Sequence, residues 1–200
     1  MSNPIEFYFD FSSPYAYFAA QKIDELIEGF DRTVEWKPML LGVALKQTGS
    51  QPLAHIPMKG EYCVHDWERL ARFQELPWKM PDPFPIATQA TGRAYYWIYD
   101  QDPAKAKAFA WDCLSTFFGK GEDIGAADAV AAIAARHGFE QDAVIAALGD
   151  DAVKQRLKDE TNAAIEKGVF GSPFVIVDGE QFWGADRLWM VKRWLRSGGW

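Results

Sequence analysis

The chain has 200 residues, 21 of them lysine or arginine and 28 aspartate or glutamate, which gives a formal net charge of −7 at pH 7. Hydrophobic residues make up 48% of the sequence and charged residues 24%, a balance that excludes an intrinsically disordered chain. An acidic protein without a run of lysines or arginines lacks the clustered cations that bind nucleic-acid backbones. We therefore expect a folded protein that does not bind nucleic acid.

The sequence shows no signal of a membrane or secretory protein. Its first residues contain neither a basic segment nor an apolar run of the kind found in signal peptides. No uncharged apolar stretch approaches the roughly 18 residues of a membrane-spanning helix. We expect a cytoplasmic protein with no membrane contact. The two cysteines, Cys63 and Cys113, form no Cys-x-x-Cys motif, and we expect both to be buried free thiols.

The first forty residues predict a β-α-β unit. Residues 5–10 alternate apolar and polar side chains with the period of a strand. Over residues 15–30, apolar side chains recur every three or four positions, which predicts one helix. Pro14 suits the first position of that helix, and Ser13 is a favoured N-cap residue. Strand alternation returns at residues 33–37, and we expect this strand to run parallel to the first.

The end of the chain predicts a β-hairpin followed by a helix. Two segments rich in apolar residues, 174–177 and 180–183, flank the pair Asp178-Gly179. This pair tolerates the positive φ angles of a type I′ turn. A helix follows directly, with Asp186 as its expected N-cap and apolar residues at helical spacing.

Between these two units, roughly residues 59–167 have helical patterns and almost no strand alternation. Residues 126–136 and 151–167 are the clearest predicted helices. The order of elements predicts an α/β fold. We expect a thioredoxin-like domain, residues 1–42 and 168–200, interrupted by a large all-helical insertion, residues 43–167.

Redox proteins with a thioredoxin fold carry Cys-x-x-Cys where the first strand meets the first helix. In this sequence Ser13-Pro14-Tyr15-Ala16 occupies that place. Serine and alanine stand where the two cysteines would be, so thiol–disulfide exchange at this position is excluded.

Five segments carry a resemblance to a known family. The most specific are GVFGSP at residues 168–173 and FWGADR at residues 182–187, and the others are residues 9–17, 37–49 and 57–60. Through these segments the sequence resembles the family of 2-hydroxychromene-2-carboxylate isomerases and kappa-class glutathione transferases, over nearly its whole length. The resemblance implies a DsbA-type thioredoxin fold, a homodimer, and glutathione as the cofactor.

The resemblance also implies which residues bind glutathione. Ser13 would be the catalytic residue, because its hydroxyl would hydrogen-bond the glutathione sulfur as a thiolate. A hydroxyl donor and a helix N-terminus both favour the anion of a thiol whose ordinary pKa is about 8.5. Ser172, before a cis-proline at Pro173, would bind the cysteinyl amide through its backbone. Lys59 would contact the glycyl carboxylate and Asp186 the γ-glutamyl ammonium group. The full implied set is Ser13, Ser50, Lys59, Ser172, Pro173, Ala185 and Asp186.

Two of these positions depart from the family pattern. This chain has Ala185 where kappa-type relatives have serine, and Ser50 where they have asparagine. Each change affects one hydrogen bond to glutathione, worth about 0.5–1.5 kcal/mol for a neutral pair. The expected affinity for glutathione is lower, but binding is not excluded.

Other kinds of site fit the residues less well. His55, Cys63 and His65 could be metal ligands. Their spacing in the sequence does not direct the three side chains toward one tetrahedral centre, and we expect no metal. A Ser-His-Asp hydrolase needs a nucleophile elbow such as Gly-x-Ser-x-Gly, which is absent around Ser13. We expect His137 at the surface or at a helix end. Five aromatic residues could wall a substrate pocket or fill the core, and core positions are the more frequent: Trp78, Phe84, Tyr95, Tyr96 and Trp97.

The resemblance implies an enzyme for a small aromatic substrate in the degradation of aromatic, naphthalene-type compounds. It would interconvert 2-hydroxychromene-2-carboxylate and trans-o-hydroxybenzylidenepyruvate by cis–trans isomerisation, with glutathione unconsumed. Two alternatives stay open. One is a kappa-like glutathione transferase or peroxidase that acts on electrophiles. The other is a redox-inactive thioredoxin-like module that binds proteins without catalysis.

Overall fold

A computed structural model describes residues 3–200, and this part of the chain contains one four-stranded sheet. Its strands are β1 (Ile5–Phe9), β2 (Val34–Pro38), β3 (Phe174–Val177) and β4 (Glu180–Trp183). In the order β2-β1-β3-β4, β1 and β2 are parallel, and β3 is antiparallel to both β1 and β4. Asp178 and Gly179, between β3 and β4, have φ angles of 53° and 91°. The predicted α/β fold is confirmed, as are the parallel pair and the hairpin.

Within residues 3–200 there are ten α-helices, and seven of them lie between β2 and β3. The helical insertion is therefore confirmed, while its boundaries at residues 43 and 167 stay a prediction. Two short 3₁₀ turns and a π-helical segment, Ser115–Lys120, complete the structure. The helices are α1 (Pro14–Ala20), α2 (Ile23–Leu26), α3 (Leu41–Thr48), α4 (Lys59–Gln74), α5 (Gln89–Tyr99), α6 (Pro103–Leu114), α7 (Ala127–Ala135), α8 (Gln141–Gly149), α9 (Asp151–Glu166) and α10 (Leu188–Ser197).

The single helix predicted for residues 15–30 is wrong. α1 ends at Ala20, and a separate short helix, α2, begins at Ile23. The break coincides with a tighter turn, in which the N–H of Lys22 donates to the carbonyl of Ala19 at 3.0 Å. This bond spans three residues instead of the four of an α-helix. The spacing of apolar side chains does not register such a local change.

The N-cap predicted for the last helix is also wrong. Asp186 lies inside a 3₁₀ turn, Ala185–Arg187, and α10 begins after Arg187 without a side-chain cap. The turn closes because the N–H of Arg187 donates to the carbonyl of Gly184 at 3.1 Å. The Asp186 carboxylate instead accepts from the guanidinium of Arg187 at 2.5 Å, so it is not directed at the backbone of α10.

The sheet and the helices share one hydrophobic core. Phe7 and Phe9 of β1 stack with their ring centroids 5.3 Å apart, and Trp36 of β2 meets both rings edge-on. The same buried cluster continues through Phe109 of α6 and Phe118 of the π-helical segment. The helices therefore cannot be separated from the sheet without exposing apolar surface.

All five aromatic residues left open by the sequence belong to this core or pack against it. From α5, the hydroxyls of Tyr95 and Tyr96 donate to the carbonyls of Trp36 and Pro38 at 2.6 and 2.8 Å. Burial raises the pKa of both phenols well above the ordinary value, so they remain protonated donors. Trp78 and Trp97 pack against the rings of Phe118 and Phe139. Phe84 meets the ring of Phe118 edge-on, with the ring centroids 6.3 Å apart.

The remaining predicted residues are also placed. Cys63 and Cys113 are buried and form no disulfide, as predicted. His137 follows α7 and is half-buried, with its Nε2 atom 3.2 Å from a carboxylate oxygen of Asp112. Over residues 3–200, no group of three or more histidine, cysteine or acidic side chains is arranged to hold a metal ion. In the same range, no helix has both the length and the apolarity to cross a membrane.

Candidate functional site

Ser13 lies where β1 leads into α1. As predicted, it is the N-cap of α1, and its Oγ accepts a hydrogen bond from the N–H of Ala16 at 3.3 Å. Pro14 occupies the first position of the helix. The Ser13 hydroxyl in turn donates to the carbonyl of Ser172 at 3.0 Å. This side chain therefore caps the helix and joins it to a loop from the far end of the sequence.

That loop is the cis-proline turn before β3. The Ser172–Pro173 peptide bond is cis, as the resemblance implied. The hydroxyl oxygen of Ser172 accepts from the N–H of Asp10 at 2.9 Å, and the carbonyl of Pro173 accepts from the N–H of Gly184 at 3.0 Å. The loop is thus attached to the end of β1 and to the end of β4.

An open cleft of about 480 Å³ lies beside Ser13. Although Ser13 is only 5% exposed, it borders this cleft together with Ser50, Lys59 and Ser172. The structure therefore brings together four of the residues implied for glutathione binding. The cleft is also lined by Asp10, Ser12, Pro14, Tyr15, Leu41, Gly42, Leu45, Thr48, Gln51, Pro52, Leu53, Ala54, Ile56, Trp67, Phe84, Pro85, Ile86, Phe170, Gly171 and Trp183.

The other three implied residues do not border the cleft. Pro173 is buried, and Ala185 packs against the hydrophobic core. The Asp186 side chain is 73% exposed and is paired with Arg187. Their contacts with a ligand stay predictions.

The accessible charge of the cleft is positive. Lys59 is the first residue of α4, and no acidic side chain within residues 3–200 forms an ion pair with it. The one carboxylate among the lining residues, Asp10, is 5% exposed and already accepts hydrogen bonds. A free ammonium group beside a helix N-terminus favours an anionic ligand.

Asp10 is a buried polar residue at this site that the sequence analysis did not single out. Its carboxylate accepts from the N–H of Ser12 at 2.8 Å, the N–H of Leu41 at 2.7 Å and the hydroxyl of Thr88 at 3.1 Å. Burial raises the pKa of this carboxyl above its ordinary value, and the three donors act in the opposite direction. Its position at the carboxyl end of a strand beside a parallel neighbour was an available signal, because ligand sites of α/β sheets lie there.

Aromatic side chains line part of the cleft. Phe170 and Trp183 are 40% and 56% exposed, and their ring centroids are 4.9 Å apart in an edge-to-face arrangement. Phe84 and Trp67 form a second such pair, with centroids 5.6 Å apart. Phe84 is thus the one of the five aromatic residues considered from the sequence that lines this cleft.

The indole of Trp183 rests on a glycine of the cis-proline loop. A Cβ atom at Gly171 would lie 2.2 Å from the indole nitrogen of Trp183 and 2.8 Å from a carbon of the same ring. These distances are far shorter than van der Waals contact. Trp183 can occupy this place in the cleft only because residue 171 has no side chain.

Known proteins match the chain over nearly its whole length. The profile of the DSBA-like thioredoxin domain matches residues 4–196. The chain is 28% identical to the 2-hydroxychromene-2-carboxylate isomerase of Sphingobium xenophagum over 197 residues, covering 98% of this chain and 99% of that protein. It is 23% identical to glutathione S-transferase kappa 1 of Rattus norvegicus over 196 residues, covering 92% and 87%.

The fold comparison agrees with the sequence comparison. A solved structure of a 2-hydroxychromene-2-carboxylate isomerase matches with a TM-score of 0.86 at 26% identity, over 96% of this chain and 93% of that chain. The resemblance stated from the sequence motifs is therefore confirmed.

We predict that Gly171→Ala displaces the Trp183 ring from the cleft. The new methyl group and the indole cannot occupy the same space, and the half-exposed ring can swing toward solvent. The expected result is a shifted Trp183 indole N–H resonance in the NMR spectrum, assigned with Trp183→Phe. The expected loss of stability in urea unfolding is about 1 kcal/mol, the low end for overpacking.

Gly149→Ala is the matched control, because in the described part of the chain no atom beyond the adjoining backbone of α8 lies within 4 Å of a Cβ added at this last residue of the helix. It should leave the Trp183 resonance in place. An unchanged resonance in Gly171→Ala would contradict the prediction.

Proposed function

The chain belongs to the DsbA-like thioredoxin domain family, and on that basis we propose that it is a glutathione-dependent isomerase. The proposed reaction interconverts 2-hydroxychromene-2-carboxylate and trans-o-hydroxybenzylidenepyruvate, in the breakdown of aromatic compounds. One observation carries the proposal: a serine hydroxyl at the start of α1, where redox relatives have a cysteine, borders a cleft with a free cation. Relatives with this isomerase name span the same length of chain.

The groups that line the cleft fit glutathione. The tripeptide is anionic and extended, and the cleft offers the unpaired Lys59 ammonium for its glycyl carboxylate. The backbone of Ser172 suits the cysteinyl amide. Asp186 would bind the γ-glutamyl ammonium group. Because Asp186 does not line the cleft, the γ-glutamyl end of the tripeptide would have to extend beyond it. Because Ser50 and Ala185 depart from the kappa pattern, we expect modest affinity.

The hydrogen bond between Ser13 and Ser172 suggests how the sulfur is recognised. The Ser13 hydroxyl has one proton, which the carbonyl of Ser172 accepts in the structure. A cysteinyl N–H that donates to the same carbonyl would keep that carbonyl hydrogen-bonded when the hydroxyl leaves it. The Ser13 proton would then be free to turn toward the sulfur. Peptide binding and thiolate stabilisation would therefore occur together.

Bound glutathione would supply a thiolate that adds to the conjugated double bond, so that the bond becomes single, rotates, and reforms on elimination. Ser13 would donate its hydroxyl proton in a hydrogen bond to the sulfur, and the N-terminus of α1 would add a favourable dipole. Both lower the thiol pKa from its ordinary value of about 8.5. The side chain of Ser13 would stay uncharged throughout and would form no covalent bond.

A kappa-like transferase or peroxidase is the second candidate, because the rat kappa relative also aligns with most of the chain. We rank it below the isomerase, since the kappa relative is less similar in sequence than the isomerase. We also propose a cytoplasmic homodimer, and equilibrium sedimentation would measure its stoichiometry. The third candidate, a redox-inactive binding module, would need neither glutathione nor a reaction.

Three measurements on the purified protein distinguish these candidates. We expect calorimetric binding of glutathione, glutathione-dependent isomerisation of 2-hydroxychromene-2-carboxylate, and much slower conjugation of chlorodinitrobenzene. Faster conjugation than isomerisation would favour the transferase. Absence of glutathione binding would contradict both enzyme proposals and leave the binding module.

We predict that Ser13→Ala lowers isomerase turnover by about 100-fold, the scale seen when a donor to a reacting anion is removed. The loss of the N-cap should cost about 1 kcal/mol in urea unfolding. The ultraviolet absorbance of the bound thiolate should appear at higher pH than in the unaltered protein, because the variant lacks the hydroxyl that helps to lower the thiol pKa.

Two controls isolate the sulfur contact in this experiment. Binding of S-methylglutathione, which has no ionisable thiol, should change little. Ser115→Ala removes a buried hydroxyl that has no hydrogen-bond partner among residues 3–200 and should leave turnover intact. Unchanged turnover in Ser13→Ala would refute the role of the hydroxyl.

We predict that Lys59→Met weakens glutathione binding about two- to fivefold, since an exposed ion pair contributes modestly. Calorimetry at two salt concentrations should show a smaller effect at high salt. A glutathione analogue with a glycyl amide should bind both proteins equally. Lys46→Met, an exposed lysine near the end of α3, is the control. An equal loss with the amide analogue would contradict the assigned contact.

A further inference from the structure

We propose that Asp10 is a positioning residue for Ser13: its carboxylate fixes the Ser13 hydroxyl relative to the walls of the cleft. This inference rests on the proposed function in one respect, because the hydroxyl that it positions is the one that would meet the glutathione sulfur.

The backbone of Asp10 connects Ser13 to the cis-proline loop. Its carbonyl accepts from the N–H of Ser13 at 3.0 Å, and its N–H donates to the hydroxyl oxygen of Ser172 at 2.9 Å. One oxygen of its carboxylate accepts from the N–H of Ser12 at 2.8 Å. These bonds determine the path of the short segment that precedes α1.

The carboxylate also reaches two walls of the cleft. Its second oxygen accepts from the N–H of Leu41, the first residue of α3, at 2.7 Å. Leu40, the N-cap of that helix, provides no side-chain acceptor. A helix start needs an outside acceptor for its free N–H groups, and a negative charge is favoured there. Asp10 meets this need for α3, and its first oxygen also accepts from Thr88 before α5.

Only a carboxylate satisfies all three donors at once. An ionised aspartate has two acceptor oxygens, whereas asparagine has one and presents an NH₂ group instead of the other. In Asp10→Asn, the NH₂ group would face either the N–H of Leu41 or the N–H of Ser12. Because both of these residues border the cleft, the lost bond alters the shape of the ligand site.

A double-mutant cycle tests whether Asp10 acts through Ser13. Glutathione binding is measured by calorimetry for the unaltered protein, Asp10→Asn, Ser13→Ala and the double variant. Ser13→Ala lowers glutathione affinity by some factor in the unaltered protein. If Asp10 positions the hydroxyl, that factor should be at least about three times smaller in the Asp10→Asn background, as expected for coupled residues. A purely structural role predicts the same factor in both backgrounds, and that result would overturn the inference.

Amide hydrogen exchange without glutathione is the second measurement. Asp10→Asn should accelerate exchange at the N–H of Leu41 or the N–H of Ser12 more than in the centre of α9. Unchanged exchange at both amides would also overturn the inference. If the unaltered protein binds no glutathione, the proposed function fails, and the exchange rates alone decide the role of Asp10.

A milder pair of variants serves if Asp10→Asn does not fold. Thr88→Val removes one donor to Asp10, whereas Thr91→Val removes a buried hydroxyl in the same region that donates to the carbonyl of Ile124. Both lose one buried hydrogen bond. Weaker glutathione binding is expected in Thr88→Val only, and equal effects of the two variants would contradict the inference.

Discussion

The site depends on one hydrogen bond, from the Ser13 hydroxyl to the carbonyl of Ser172. It joins the start of α1 to the cis-proline loop, two segments separated by 159 positions in sequence. A serine hydroxyl can donate only one proton, so Ser13 cannot donate to a ligand atom while this bond is formed. In the proposed function, a ligand that accepts from Ser13 would replace the Ser172 carbonyl as the acceptor, and the N–H of a bound peptide would be available to donate to that carbonyl instead.

This bond is possible because β1 lies between β2 and β3. Its parallel neighbour leads into α3, and its antiparallel neighbour begins with the cis-proline loop. Both segments consequently arrive at the carboxyl end of β1, where Asp10 and Ser13 follow the strand. The helical insertion completes the cleft with Lys59 and Phe84, so neither part of the chain forms the site alone.

Local signals in the sequence were sufficient for much of this arrangement. Alternation predicted the first two strands, apolar segments around Asp178-Gly179 predicted the hairpin, and Ser13-Pro14 predicted the start of α1. The partners of Asp10 could not be predicted in this way, because Leu41 and Thr88 lie 31 and 78 positions away. Such contacts depend on tertiary structure, which single-sequence patterns do not encode.

The errors have the same origin. The division of α1 from α2 and the 3₁₀ turn at Asp186 are set by individual backbone hydrogen bonds, not by the period of apolar residues. α3 was not identified as a separate element, since within Leu41–Thr48 only Ala44 is buried. The first N–H group of α3 donates to the carboxylate of Asp10, which follows β1. The sequence of the helix itself therefore shows little of the capping and apolar pattern that predicts a helix.

The hydroxyls of Tyr95 and Tyr96 have a consequence for solubility. β2 is an outermost strand of the sheet, and unpaired backbone groups on such a strand can recruit a strand from another molecule. The two phenols occupy the carbonyls of Trp36 and Pro38, and α5 lies against the strand that carries them. The helical insertion thus shields this edge of the sheet from intermolecular β-pairing as well as completing the cleft.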